Sequence, residues 1–118
     1  MIQFVEPNFV NEGSRGKLVQ LVRDGYKQVN VIESVAGSVR GGHYHKFNAE
    51  CFYVVSGALT LKLSRDEERE QHDFEEGAMF MVPPYVRHTF EYLKDTVLVS
   101  LYSDGVEISQ TQKDIWTE

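Results

Sequence analysis

Residues 37–57 read Gly37-SVRGGHYHKFNAECFYVVS-Gly57, and within this stretch lie His43, His45 and Glu50, with a further histidine, His88, much later in the chain. Side chains two apart on a strand share a face, so His43 and His45 project together while Tyr44 points the other way. Glu50 opens the next apolar run, Glu50 to Val55, and faces the histidine pair if the intervening residues make a tight connection. His88 begins a separate strand-like segment, His88 to Leu93, behind the rigid Pro83-Pro84 step. Neutral imidazoles with a carboxylate suit a first-row divalent ion such as Zn, Mn, Fe or Ni, so His43, His45, Glu50 and His88 are the candidate metal ligands. The fourth histidine, His72, lies in a charged stretch and reads as solvated surface. The competing reading of the other three is a set of core histidines bonded to backbone carbonyls.

Outward from that stretch, apolar residues alternate instead of recurring every three or four. Leu59, Leu61 and Leu63 alternate with Thr60, Lys62 and Ser64, and Ser56-Gly57 is a natural hairpin turn before them. Similar runs occupy Lys17 to Val22, Gln28 to Val35, Ala78 to Val82, Thr89 to Leu93 and Thr96 to Tyr102. Short strands at this density predict an all-β sandwich or barrel. The charged run Ser64 to Asp73 reads as a solvated hairpin excursion, although Asp66 to Glu70 has the spacing of a helical turn. The tail from Ile108 has weak helical spacing at Ile115 and Trp116 and could dock on the barrel or on a partner.

Strand parity extends the reading to both faces of the sheet. If Glu50 points inward, so do Phe52 and Val54, while Cys51, Tyr53 and Val55 form an apolar outer face. That face needs cover, either from the N-terminal strands or from a second subunit, and a homodimer is expected. Inside, Phe90 and Tyr92 follow His88 and, with Phe52 and members of the last strand, build an aromatic wall of the kind that lines small-molecule sites. Arg40, Tyr85 and Tyr92 lie beside the candidate ligands and carry polar tips; Arg40 suits a phosphate or carboxylate.

The 118 residues, 42% hydrophobic and 25% charged, suit one domain over residues 1–118, with its core at about 15–102 and a tail over 103–118. A net charge of −6 without a basic stripe argues against nucleic acid or an anionic membrane as partner. No signal-like start or membrane-spanning apolar run is present, and the lone Cys51 fits a reducing compartment, so a cytoplasmic location is expected.

The spacing Gly37, His43, His45, Glu50, Gly57 resembles the complete first motif of the cupin superfamily. The second motif is partly kept: Gly77, Pro83 and His88 are present, but Tyr85 stands where glycine is expected and Tyr92 where asparagine is. The likeness, over about Arg15 to Tyr102, implies a cupin double-stranded β-helix, or jelly-roll, and dimers are common among such proteins. The string Arg40-Gly41-Gly42-His43-Tyr44-His45-Lys46 looks like cupins of surface-polysaccharide and nucleotide-sugar pathways. One such group is the metal-binding epimerase domain of capsular-sugar reductases, with a glutamate at the place of Glu50. The other is the nucleotide-sugar ketoisomerases, which share the Ser14, Arg15, Gly16, Leu18 layout but generally work without a metal.

Glu50 favours the first group. The resemblance then implies isomerase or epimerase chemistry in which a divalent ion polarises a sugar carbonyl and Tyr92, Tyr85 or a metal-bound water acts as base. Phe52 and Phe90, with Arg40, would contact the substrate. Two alternatives stand beside it: a metal-dependent dioxygenase with Fe(II) in the same ligands, and a non-catalytic metal- or sugar-binding module.

Overall fold

A computed structural model describes residues 1–118 and contains eleven strands and no helix. These are β1 (Gln3–Phe4), β2 (Phe9–Gly13), β3 (Gly16–Gln20), β4 (Gln28–Ser34), β5 (Val39–His43), β6 (Glu50–Ser56), β7 (Ala58–Arg65), β8 (Glu68–Glu75), β9 (Met79–Val82), β10 (Arg87–Tyr92) and β11 (Thr96–Tyr102). Five strands form one sheet in the order β1-β9-β6-β11-β4, four form a second in the order β5-β10-β7-β8, and β2 with β3 makes a separate hairpin. The two larger sheets are antiparallel throughout and give the expected jelly-roll. No helix is long and apolar enough to cross a membrane.

The inward residues of both sheets make the core. Phe52, Leu59, Leu61, Phe80 and Phe90 meet between the sheets, and Leu59, Leu61 and Phe80 are fully buried. Each such side chain is worth about 1.5–3 kcal/mol of transfer free energy, which is what holds β7 and β10 against β6 and β9. Parity holds on β6: Phe52 and Val54 face this core, while Cys51 and Tyr53 belong to an outer cluster with Met79 and Leu101. Val5, Val19, Leu21, Val22 and Tyr26 pack on that cluster, so the chain's own N-terminal segments cover Cys51.

Two sequence expectations change in detail. The charged run does form a hairpin, but its second arm is the full eight-residue strand β8, in which Glu70, His72 and Phe74 alternate with more exposed neighbours. Phe74 stacks on Phe80 with ring centroids 4.2 Å apart, anchoring a strand whose pattern was hidden by its charges. The tail is not helical; it docks on the barrel through an isolated bridge between Trp116 and Tyr44. Strand β5 needs Gly41, which has a φ of 100° and lies so close to β10 that a Cβ would sit 2.5 Å from the His88 carbonyl oxygen.

Candidate metal centre

Four segments deliver the candidate ligands to one end of the barrel. His43 closes β5 and pairs across to His88 on β10; His45 follows one residue after the Tyr44 bridge; Glu50 opens β6. The nitrogens of His43, His45 and His88 lie within 4.8 Å of one another. Their rings form a near-regular triangle, with centroids 5.1 Å (His43 to His45), 4.7 Å (His43 to His88) and 5.1 Å (His45 to His88) apart. Glu50 Oε1 is 2.9 Å from His45 Nε2 and 3.4 Å from His88 Nε2. His45, Glu50 and His88 are all buried, and His43 is partly open.

The outer hydrogen bonds determine what the inner atoms can do. His88 Nδ1 faces the Val86 carbonyl at 3.0 Å and His45 Nδ1 faces the Asp114 carbonyl, and a carbonyl can only accept, so both Nδ1 atoms carry the proton. The Nε2 atoms of both rings then face the Glu50 carboxylate, where His45 Nε2 bears a proton in its 2.9 Å hydrogen bond or, with that proton gone, offers its lone pair to an ion. His88 Nε2 is buried without any hydrogen-bond partner, a costly arrangement unless a cation shares the space. The donor set, two fixed Nε2 atoms with a third imidazole and a carboxylate, therefore fits a divalent transition ion.

The electrostatics of His43 and Glu50 agree with that fit. Burial, followed by the charge of His88 and His45, lowers His43 to about 4, which leaves its ring neutral and able to donate a lone pair near neutral pH. Burial alone would raise Glu50, but its contacts with His45 and His88 and the hydroxyl of Ser100 outweigh it and hold the carboxyl ionised. His45 is the converse: burial lowers it, and the Glu50 and Asp114 contacts raise it more, favouring a protonated ring that an ion would have to displace a proton from.

The cavity beside the ligands has a volume of about 260 Å³ and is lined by Arg40, Phe52, Phe90, Tyr92 and Tyr102 together with His43, Glu50 and His88. Arg40 stands at its edge, its Nε donating to Ser34 Oγ at 2.8 Å and its Nη2 to the Glu33 carbonyl at 3.1 Å. Burial raises the Tyr92 hydroxyl pKa despite nearby Ser34 and Arg40, so Tyr92 is a neutral phenol that holds its proton. Burial and the Glu50 charge likewise raise Tyr102. Tyr85 corrects one sequence expectation: it does not line this cavity but lies 56% exposed on the outer side of the barrel, stacked on Tyr44. The cause is a left-handed backbone at Tyr85, with φ 67°, that turns its ring away from the interior.

Several contributors were not singled out from sequence. The Asp114 carboxylate accepts the amides of Lys46, Phe47 and Asn48, the Asn48 side chain and Trp116 Nε1, while the Asp114 carbonyl takes the proton of His45. Ser100 and Ser34 are small hydroxyl residues inside apolar strands, and only their inward parity hinted at a role.

Comparison with known proteins places this arrangement in a family. Residues 11–113 match the family described as "Polysaccharide biosynthesis C-terminal domain". The chain belongs to that family. The chain's fold is the cupin barrel, shared with the TDP-quinovose 3,4-ketoisomerase of Campylobacter jejuni at a TM-score of 0.84 and 16% identity over 99% of this chain and 92% of that one. The dTDP-4-dehydrorhamnose 3,5-epimerase of Sulfolobus tokodaii superposes with a TM-score of 0.74 and 21% identity over 86% of this chain and 69% of that one. By sequence, this polysaccharide biosynthesis C-terminal domain is 40% identical over 71 residues to the 3-hydroxyanthranilate 3,4-dioxygenase of Burkholderia lata, a match covering 55% of this chain. The matched region spans 41% of the length of that dioxygenase.

Proposed function

We propose that this domain holds one divalent first-row transition ion (Zn, Mn, Fe or Ni) on His43, His45, Glu50 and His88 and isomerises or epimerises the sugar ring of a nucleotide sugar or related carbohydrate. The observation that carries the reading is the convergence of His45 Nε2 and the partnerless His88 Nε2 on the Glu50 carboxylate, with both Nδ1 atoms tied outward to backbone carbonyls. The fold likeness to nucleotide-sugar ketoisomerases and epimerases and the polysaccharide-biosynthesis family support the choice of substrate class.

When bound, such an ion supplies Lewis acidity toward a carbonyl or hydroxyl oxygen and stabilises negative charge that develops there. The rest falls to the chain's own side chains. Phe52 and Phe90 exclude water from the cavity, whose volume of about 260 Å³ is below the roughly 300–1,000 Å³ usual for small-molecule sites and matches one ring better than a whole nucleotide sugar. The nucleotide would then lie outside, with Arg40 at the edge to orient an anionic group. Tyr92, which holds its proton, would return one to the developing oxyanion or carbanion as a general acid, and the proton leaving the sugar carbon would pass to a water held by the ion, the remaining candidate base now that Tyr85 lies outside the cavity.

Elemental analysis of wild type beside Glu50→Gln tests the ion: close to one ion per chain in the wild type and a clear loss in the variant are expected. Incubation with a TDP-4-keto-6-deoxy sugar in deuterium oxide, read by proton NMR, tests the chemistry. Deuterium entering beside the carbonyl supports it, and absence of exchange across a panel of such sugars by the metal-loaded protein rejects it.

A second reading is favoured by the 40% identity to a dioxygenase over 71 residues: the same ligands would hold Fe(II) for oxygen chemistry. Oxygen consumption by the iron-loaded protein with small aromatic acids separates the two. The domain is further proposed to form a homodimer, supported by Val29 and Val31, 61% and 67% exposed on the outer sheet face beside the covered Cys51 cluster. The β2–β3 hairpin, which pairs with no other strand and exposes Phe9, Val10 and Leu18, offers the matching surface.

A further inference from the structure

The only two non-glycine residues with a left-handed backbone, Asp66 (φ 55°) and Tyr85 (φ 67°), line one cavity on the outer face of the four-stranded sheet. This cavity, of about 500 Å³, is lined also by Tyr44, Ser64, Arg65, Arg69, Arg87 and Glu118. It is separated from the candidate metal centre by the sheet itself, since Arg87 and Tyr44 are the chain neighbours of inward-facing His88, His43 and His45 and point the other way.

Three guanidinium groups gather here, and Arg69 and Arg87 pair with no carboxylate side chain. Arg87 and Arg69 flank Ser64 in one cross-strand row. Arg69 Nη1 donates to the carbonyls of Asp66 and Glu68, and Arg87 donates to backbone oxygens of Gly42, Thr117 and Glu118. Arg65 has a loose contact of 3.8 Å with Glu68, both of them exposed. The acidic side chains at the cavity, Asp66 and Glu118, form no ion pair with the arginines. Like charges so arranged repel one another, and an anion relieves that repulsion.

Tyr85 adds a second line of argument. The second cupin motif has glycine here, and glycine alone adopts this conformation without strain; the chain instead carries a tyrosine whose ring is mostly exposed. Core packing does not account for it. The left-handed backbone lays the Tyr85 ring against Tyr44, with centroids 6.3 Å apart and planes 28° from parallel, while Arg87 covers Tyr44 at 5.3 Å. Backbone strain retained at an exposed residue, beside two arginines that pair with no carboxylate side chain, points to a ligand. We propose that this cavity binds a phosphate ester bearing a flat ring, a nucleoside phosphate, with the phosphate on Arg65, Arg69 and Arg87 and the ring on Tyr85.

The test is an amide chemical-shift titration of the ¹⁵N-labelled protein with adenosine monophosphate, with adenosine and with inorganic phosphate, the purine offering a large stacking face. The expected result is a saturable response at Tyr44, Arg65, Asp66 and Tyr85, with the monophosphate binding at least about tenfold tighter than either fragment. Arg69→Ala should weaken that binding about tenfold or more while leaving metal content unchanged. Tyr85→Gly should weaken it as well but raise the thermal midpoint, because glycine removes the backbone strain. A response confined to Arg40 and Tyr92 would assign the ligand to the barrel mouth and overturn the proposal. So would a response to phosphate equal to that to the monophosphate, or unchanged affinity in both variants.

Discussion

The backbone carbonyl of Asp114 receives the Nδ1 proton of His45, 69 positions earlier in the chain, and so sets the orientation of a candidate metal ligand from the tail. The same residue's carboxylate gathers the amides of Lys46, Phe47 and Asn48, which form the connection carrying His45 toward Glu50. Asp114→Ala leaves these donors without their acceptor, and a loss of about 2–4 kcal/mol is expected in urea denaturation. Alanine keeps the carbonyl that faces His45, but without the carboxylate contacts the tail that presents it is released, so affinity for Zn or Mn should fall roughly 10–100-fold by competition titration, and Asp114→Asn should recover part of both.

Chelation should lower the thermal midpoint without unfolding the barrel. The candidate ligands join β5, β6 and β10 across the two sheets, whereas much of the apolar core, Leu59, Leu61 and Phe80 among it, does not line their cavity. An ion at a hundred to a thousand times its Kd contributes roughly 3–4 kcal/mol, seen as a concentration-dependent midpoint in calorimetry. His88→Ala should abolish that dependence.

Tyr92→Phe and Arg40→Ala should separate chemistry from binding. Removing the phenolic proton at Tyr92 is expected to reduce kcat about 10²-fold or more with KM little changed. Truncating Arg40, which Ser34 and the Glu33 carbonyl hold at the cavity edge, should raise KM about tenfold with a smaller effect on kcat. Steady-state kinetics on the sugar that shows deuterium exchange would check both.

Acid should loosen the N-terminal strand first. The Ile2 amide, then His72 and the N-terminal amine, hold the Glu70 carboxyl at about 2, below its ordinary range. A carboxyl lowered on folding contributes stability that is complete above its unfolded pKa of about 4.5 and is lost as pH falls through its folded value. Stability should therefore decline between about pH 5 and pH 2, and Glu70→Gln should flatten that part of the profile measured by urea midpoints.

Gly41→Ala is expected to be worse than its size suggests. A methyl there must displace the His88 carbonyl or pull β5 from β10, and the left-handed φ adds strain. A destabilisation of about 2–4 kcal/mol together with reduced metal content is expected from calorimetry and elemental analysis.

The legible part of the molecule was the part with a period. Alternation gave Thr96 to Tyr102 as strand β11 without error, and the inward parity of Glu50, Phe52, Phe90 and Tyr92 follows from counting by two. Strand β8 was harder because its inward positions include Glu70 and His72, whose burial depends on partners far along the chain, Met1 and Ile2. Tyr85 was misplaced because a single left-handed residue reverses the side on which a side chain emerges, and sequence spacing contains no φ. Asp114 was not recognisable at all: its role is defined by three amides that become free only when the chain turns between β5 and β6.

The docked tail has a consequence for how the site is completed. A nascent chain extended only through Tyr102 already possesses every strand of both sheets, yet the carbonyl that orients His45 and the carboxylate that closes its loop lie beyond that point. Formation of the strands and orientation of His45 thus draw on separate parts of the chain, and the second needs Asp114. On the proposed ligand set, loading with an ion would report a domain whose tail has folded back onto Tyr44 through Trp116.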